Sequence, residues 1–213
     1  MELTDQQKDA LTELINIAFS RTAASLSELT GNRVDLDVPE VSIHPMGELG
    51  GALGRYVQGE VATVHQIFSG PIAGDALLLL NHEGAVNLVD LLTGVDAPAK
   101  RLGASSKEVL SEIGNILLNA CLGIFGDLLK VRLSFTVPRL HLESLADMLE
   151  SLVIGKDELH YALLIGAQFH VRTTEITGSM LIVLGIASLE HLVGAVQQWA
   201  EMATFPTVDG EAV

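Results

Sequence analysis

The phrases ELINIA, at residues 13–18, and EIGNIL, at residues 112–117, are related and lie in two separate apolar stretches. In both stretches the apolar side chains recur at the spacing of an α-helix, which predicts long helices over 3–29 and 105–130. Thr4 is the expected N-cap of the first helix. A similar phrase in two helices indicates that the chain contains an internal duplication.

The distance between the two phrases supports a duplication. Glu13 and Glu112 are 99 residues apart, and so are Asn16 and Asn115. Apolar composition alone does not make a carboxylate and an amide coincide in this way. Each predicted helix therefore carries a Glu-x-x-Asn element at the same place in its copy.

Two further matches extend the repeat beyond the helices. Pro39 and Pro138 are also 99 residues apart, so each proline follows its asparagine by 23 residues. The stretch GPIAGDALLLL at 70–80 matches TEITGSMLIVL at 174–184 with an offset of 104. The five additional residues fit in the loops of the second copy.

The duplication predicts the fold class. One repeat is expected at about 3–94, the other at about 105–202, and a loose acidic tail at 203–213. Each copy contains a helix, a strand, a β-hairpin and a helix, and two such units related by an approximate twofold axis most simply share one antiparallel sheet. We therefore predict a single α+β domain over residues 1–213.

Shorter elements follow from periodicity and from turn residues. In the first copy we expect a strand at 33–44, a glycine-rich loop at 47–54, hairpin strands at 56–68 and 72–80, and a helix near 83–93. In the second we expect a strand at 131–137, strands at 159–170 and 174–184, and a helix at 187–202. A connector at 94–105 joins the copies. A helix at 141–152 is predicted as an addition to the second copy.

Composition and charge exclude several functions. Asp and Glu number 27 against 12 Lys and Arg, which gives a formal charge of −15. This charge repels a polyanion, so nucleic acid is not an expected partner. Mean hydropathy is +0.40, but no run of about 18 uninterrupted apolar residues predicts a membrane span. The acidic start and the single cysteine, Cys121, are typical of a reduced cytoplasmic protein.

Other common sites are not indicated. The seven histidines form no H-x-x-x-H pair, and a second cysteine is absent, so no zinc site is predicted. The glycine-rich 47–55 lacks the G-x-x-x-x-G-K-[ST] pattern of a nucleotide-binding loop. Cys121 lies among apolar residues and is expected to pack in the core.

Each long helix carries a polar stripe with spacings of 4, 3 and 4 residues. The members are Asp9, Glu13, Asn16 and Ser20 in the first helix, and Glu108, Glu112, Asn115 and Asn119 in the second. A carboxylate and an amide one turn apart can hold a water molecule or a partner's cation. In one helix alone, such a stripe is most simply a solvated face. Two copies in register, each with its proline, favour a functional role.

The motif resembles that of the CheC, CheX and FliY family of CheY phosphatases. In the first copy, D-x-x-x-E-x-x-N followed by twenty-two residues and proline is present as Asp9, Glu13, Asn16 and Pro39. The second copy matches the same pattern at three positions, namely Glu112, Asn115 and Pro138. It departs at Glu108, where the family usually has Asp or Ser. Two such helices in a chain of this size are most like CheC, and FliY-like chains are expected to have additional segments.

The resemblance implies hydrolysis of the aspartyl phosphate on a CheY-like response regulator. Glu13 and Glu112 would pair with a lysine of the regulator, while Asn16 and Asn115 would orient the attacking water. The chain would need no cofactor of its own, because the bound regulator supplies Mg²⁺. No covalent phosphatase intermediate is expected.

The predicted helix at 141–152 suggests a second partner. Its position resembles that of the helix by which CheC proteins meet the receptor deamidase CheD, with Leu145, Met148 and Leu149 as the contact residues. Packing of the same side chains onto the core is the alternative. A non-catalytic binding module, or a flagellar switch scaffold with the same fold, remains the alternative function.

Overall fold

The computed structural model describes residues 3–31, 33–57, 59–93, 103–153, 160–171 and 174–204. The helices within these ranges are α1 Asp5–Thr30, α2 Leu49–Leu53, α3 His82–Thr93, α4 Ala104–Leu129, α5 Leu145–Val153 and α6 Ile186–Thr204. The strands are β1 Val34–Leu36, β2 Glu40–Pro45, β3 Glu60–Ser69, β4 Gly74–Asn81, β5 Ser134–Phe135, β6 Arg139–Ser144, β7 His160–Val171 and β8 Thr174–Gly185. A 3₁₀ turn spans Met46–Glu48.

All of these strands belong to one antiparallel sheet. Its order is β1 and β2, then β7, β8, β4 and β3, and finally β5 and β6. The two halves meet where β4 pairs with β8, with Leu77 opposite Leu181. The predicted α+β fold, with both halves contributing to one antiparallel sheet, is therefore confirmed.

Each half completes the edge of the other half's hairpin. β1 and β2, from the first half, pair with β7. β5 and β6, from the second half, pair with β3. The segment that follows α4 is therefore attached to the hairpin of the first half. Both halves consequently contribute to the surface around the second Glu-x-x-Asn element.

Helices cover the sheet on both faces. The larger core lies between one face and α1, α3, α4 and α6. The smaller core lies under α2 and α5 on the opposite face. In β4, Leu78 and Leu80 point into the larger core, whereas Leu77 and Leu79 point into the smaller one. Because both faces are covered, this strand is a continuous apolar run.

The two ends of α1 have local explanations. Thr4 caps α1 as predicted: its hydroxyl oxygen accepts from the backbone N–H of Gln7 at 3.2 Å. The Gln7 side chain accepts in return from the backbone N–H of Thr4 at 3.0 Å, which completes a capping box. At the other end, α1 stops at Gly31, which has a left-handed φ of 63°.

Helix α4 is long and apolar enough to cross a membrane by length and composition alone. However, 56% of its most apolar window is buried inside the fold. Leu117, Leu118 and Leu122 are fully buried in the larger core. These properties are those of the core helix of a soluble protein.

The prediction of a loop at 47–54 is wrong. Helix α2 occupies Leu49–Leu53, after the 3₁₀ turn. Leu49 and Leu53 are one turn apart and fully buried in the smaller core. The burial of this pair outweighs the poor helix propensity of the glycines between them. Gly50 allows close contact with α5, since a Cβ there would lie 3.3 Å from Cδ1 of Leu149.

The prediction for 141–152 needs two corrections. The first part of the stretch is the end of β6, and the helix begins only at Leu145. This helix is also not an addition to the second copy, because α2 holds the corresponding place in the first. Met148 is buried in the smaller core, so for this residue the core alternative holds. Leu145 and Leu149 are half-buried against the same core, and their contact with a deamidase stays a prediction.

The predicted strand at 33–44 is divided by its motif proline, and the predicted strand at 131–137 is reduced to β5, which ends before the second motif proline. The stretch 33–44 forms β1 and β2 on either side of Pro39, and Pro138 lies between β5 and β6. Proline has no N–H to donate to a sheet ladder, which explains both interruptions.

Most of the predicted connector and the last nine residues of the predicted tail lie outside the described ranges.

Candidate functional site

The structure places both Glu-x-x-Asn elements at the molecular surface. On α1, Glu13 is exposed and Asn16 is half-buried; on α4, Glu112 is exposed and Asn115 is half-buried. The motif side chains of each helix therefore lie where a docked protein can reach them. Asp9 and Glu108, at the start of the two stripes, are also exposed.

An open cleft of about 650 Å³ lies along α4. One wall is the polar face of the helix, with Lys107, Glu108, Ser111, Glu112, Asn115 and Asn119. The other wall is the segment from β5 to β6, with Phe135, Thr136, Val137, Pro138 and Leu140. Gln66 of β3 also lines the cleft. The structure thus brings together the four predicted residues of the second copy: Glu108, Glu112, Asn115 and Pro138.

A chain of hydrogen bonds holds the side chain of Asn115. Its Oδ1 accepts from Nδ2 of Asn119 at 2.8 Å. The same oxygen lies 3.5 Å from Nε2 of Gln66, a long hydrogen bond. Nε2 of Gln66 also donates to the backbone carbonyl of Thr136 at 2.9 Å. The carboxamide oxygen of Asn115 is therefore occupied, whereas its NH₂ group is available to the cleft.

The opposite wall is attached to β3 at Thr136. Its backbone N–H donates to the carbonyl of Ile67 at 2.9 Å. Its hydroxyl oxygen accepts from the backbone N–H of Ile67 at 3.0 Å. These two bonds continue the β3 pairing through the interruption before Pro138. Thr136 is consequently held in place although it belongs to no strand.

The first-half residues are arranged differently. Pro39 is buried, and α1 packs against β1 and β2 on either side of it. Ser20 takes the place of Asn119 in the stripe, and its hydroxyl donates to the backbone carbonyl of Asn16 at 2.9 Å. Among the described residues, none forms a hydrogen bond to the Asn16 side chain. The two motif copies therefore share residue types, but their local support differs.

Sequence reasoning missed four polar residues of the cleft: Gln66, Thr136, Lys107 and Ser111. Gln66 is a polar residue within the strand EVATVHQIFS and is only 1% exposed. A buried amide in an apolar strand was the signal that could have revealed it. Lys107 lies one position before the predicted stripe, so the cleft contains a cation although the stripe itself does not.

Two valines beside the motif prolines were also missed. Val38 is 69% exposed and Val137 is 85% exposed. Each directly precedes its proline, and Val137 lies at the rim of the cleft. Large apolar side chains this exposed are candidates for contact with another protein.

No group of three or more His, Cys, Asp or Glu side chains in the described ranges is arranged to hold a metal ion. Cys121 is fully buried in α4, and burial raises the pKa of its thiol. A protonated, inaccessible thiol is a poor nucleophile. Besides Lys107, Ser111 and Thr136, the polar side chains of the cleft are carboxylates and amides. They can bind a cation and orient a water molecule.

Two of the curated proteins that are similar to this chain come from Bacillus subtilis. The chain is 24% identical over 186 residues to the flagellar motor switch phosphatase FliY of Bacillus subtilis, covering 86% of this chain and 47% of FliY. It is 26% identical over 144 residues to the CheY-P phosphatase CheC of the same organism, covering 66% of this chain and 68% of CheC. The chain thus spans about half the length of the FliY relative. No protein-family model matches the chain.

Solved structures share the fold. FliY of Thermotoga maritima superposes with a TM-score of 0.75 at 17% identity, covering 93% of this chain and 99% of that one. The FliM middle domain of H. pylori superposes with a TM-score of 0.67 at 11% identity, covering 91% and 99%. The relatives thus include FliY as well as CheC, and the expected preference for CheC is not decided by them. By the two sequence matches and the shared fold, the chain is similar to proteins of the CheC, CheX and FliY family, which the paired motif also resembles.

Proposed function

We propose that this chain is a phosphatase that hydrolyses the aspartyl phosphate of a CheY-like chemotaxis response regulator. The observation that carries the proposal is the Asn115 carboxamide, held by its oxygen in an open cleft one helical turn from the exposed Glu112. The relatives FliY and CheC are both named as phosphatases, which supports the same reaction.

In this reaction Glu112 pairs with a lysine of the regulator and fixes the docking position. Asn115 enters beside the phosphoryl group and orients a water molecule in line with the bond to the aspartate. Water attacks phosphorus, the regulator's carboxylate leaves, and inorganic phosphate is released. The regulator carries the Mg²⁺ that stabilises charge on the phosphoryl oxygens. Glu13 and Asn16 perform the same roles at α1.

A carboxylate and an amide are sufficient for this chemistry. An acyl phosphate is already reactive, and phosphoryl transfer is accelerated mainly by positioning and by stabilisation of charge. No strong base or covalent intermediate is required. Glu108 and Asp9 contribute negative charge near the docking glutamates. Pro138 shapes the opposite wall of the α4 site, whereas Pro39 supports the α1 site from a buried position.

The charge of the chain limits the affinity for such a partner. Response regulators of this class are commonly acidic, and the chain itself has a formal charge of −15. Long-range attraction is therefore not expected, and binding depends on local contacts.

A CheD-like deamidase is a further proposed partner. The proposed location of the chain is the cytoplasm.

A second candidate function is that of a non-catalytic scaffold. The fold likeness to the FliM middle domain favours it. Such a chain would dock a regulator or a switch protein without hydrolysis. The motif side chains distinguish the two functions, because only the phosphatase requires the asparagines to be intact.

The deciding experiment follows the decay of a phosphorylated CheY-like regulator with and without this protein. We expect the wild-type chain to accelerate the decay and the double variant Asn16→Ala, Asn115→Ala to abolish the acceleration. Each single variant retains the activity of the other site. The control is Gln198→Ala, which removes an exposed amide from α6. Unchanged decay with the wild-type chain, together with binding of the regulator, would establish the scaffold instead.

A further inference from the structure

Gln66 is an unusual residue for its position. It lies in β3 on the face that carries Val64 and Phe68 into the larger core, and it is 1% exposed. Its Oε1 is buried and has no hydrogen-bond partner among the described residues. An unpaired buried acceptor destabilises a fold. The residue therefore does not serve packing alone.

The hydrogen bonds of Gln66 determine the orientation of the neighbouring side-chain amides. The carbonyl of Thr136 can only accept, so Gln66 must present its NH₂ group to it. The same NH₂ group faces Asn115, which must then present Oδ1. Asn119 donates to that oxygen. One backbone carbonyl thus sets the orientation of three successive amides, and it leaves the NH₂ of Asn115 facing the cleft.

A close contact between α4 and β3 allows Gln66 to reach Asn115. Gly114 directly precedes Asn115, and a Cβ at Gly114 would lie 2.5 Å from Cγ1 of Val64. Only glycine lets the helix approach the strand so closely at this point. Gln66 is two residues along the same strand from Val64, and it can therefore reach Asn115.

At the α1 site, the described residues show neither feature. The residue 99 positions before Gly114 is Ile15, which is fully buried. Among the side chains of β7 that the structure describes, Leu163 and Ile165 are buried in the larger core. The α1 site is therefore supported by apolar packing where the α4 site has a glycine and an amide.

We propose that Gln66 is the positioning residue of the α4 site, which keeps the carboxamide of Asn115 in the orientation that hydrolysis requires. The proposal rests on the phosphatase function proposed above. Gln66 does not contact the regulator, because its side chain is covered. It acts through Asn115, and the α1 site works without an equivalent.

The test compares Gln66→Met and Gln66→Glu in two backgrounds. Methionine keeps the length of the glutamine side chain but forms no hydrogen bonds in its place. Glutamate keeps the shape of the side chain, but its ionised carboxylate cannot donate a hydrogen bond. In Asn16→Ala protein, which retains only the α4 site, either change lowers kcat about 10- to 100-fold with KM nearly unchanged. In Asn115→Ala protein, which retains only the α1 site, the same changes leave the activity as it is.

The two backgrounds separate positioning from damage to the fold. Equal losses in both backgrounds, or full activity of Gln66→Met in Asn16→Ala protein, would overturn the proposal. A pH profile adds an independent measure. Protonation lets the introduced carboxyl group donate again, so the activity of Gln66→Glu relative to wild type rises as pH falls. A flat ratio between wild type and this variant would count against the orienting role.

A spectroscopic measurement keeps the inference testable if the wild-type chain does not hydrolyse the phosphate. The side-chain NH₂ resonances of Asn115 are assigned by their loss in Asn115→Ala. In Gln66→Met these resonances shift, because their amide loses one hydrogen bond to its oxygen. Unchanged resonances would refute the geometry, whereas absent hydrolysis with shifted resonances would refute only the proposed function.

Discussion

Val38 and Val137 occupy matching positions in the two halves, each directly before its motif proline, and both are among the most exposed large apolar side chains of the described residues. Their separation is the same 99 residues that separates the asparagines. Val137 lies on the rim of the cleft that contains Asn115. Val137 is therefore a candidate for apolar contact at the proposed α4 docking surface, and Val38 holds the matching position in the first half.

Replacement of Val137 by aspartate should weaken docking at the α4 site. In Asn16→Ala protein, we expect Val137→Asp to raise KM about 10-fold, which corresponds to roughly 1.4 kcal/mol of lost binding. Thermal stability should be unaffected, because the side chain is exposed. The matched control is Met202→Asp on α6, where the side chain is 70% exposed. Equal effects of the two changes would indicate that added negative charge alone is responsible.

Charge reversal at Glu112 tests the proposed pairing with a lysine of the regulator. In Asn16→Ala protein, Glu112→Lys should lower kcat/KM by about 10-fold or more, because two cations then meet at the docking point. The loss should diminish at high salt, since salt screens the repulsion of exposed charges. Glu190→Lys, an exposed position on α6, serves as the control. A loss in kcat alone would contradict a docking role.

A methyl group at Gly114 should disturb both the fold and the α4 site. Gly114→Ala forces Val64 and α4 apart, and overpacking of this kind destabilises by about 1–3 kcal/mol. Gly123→Ala in the same helix is the control, because a Cβ there would meet nothing within 4 Å. Chemical denaturation measures the free energy of unfolding of both variants. Combining Gly114→Ala with Val64→Ala should recover part of the lost stability, and no recovery would place the strain elsewhere.

The thiol of Cys121 should be unreactive in the folded protein. Burial raises its pKa, so the thiol stays protonated at neutral pH, and reagents cannot reach it. Labelling with a thiol reagent should proceed only after unfolding. Rapid labelling under native conditions would show that α4 opens readily. Cys121→Ala should leave hydrolysis intact, in agreement with a core role.

The long helices could be predicted because their signals are local. Helical spacing of apolar residues extends over many turns in both, and Thr4 with Gln7 forms a cap within four residues. Helix α2 could not be predicted in the same way. Its five residues include two glycines, and it forms because Leu49 and Leu53 bury against the sheet. Local helix propensity therefore gave the wrong prediction at α2, where a tertiary contact decided the structure.

The sequence by itself determined the two helices and the outward position of their Glu-x-x-Asn elements, since both follow from a period of 3.6 residues along one segment. Only the tertiary structure decided how each asparagine is supported. Gln66 contacts Thr136 because β5 and β6 pair with β3, and it reaches Asn115 because Gly114 lets α4 approach β3. Strand pairing joins residues far apart in the chain, and no local pattern specifies its partner or register.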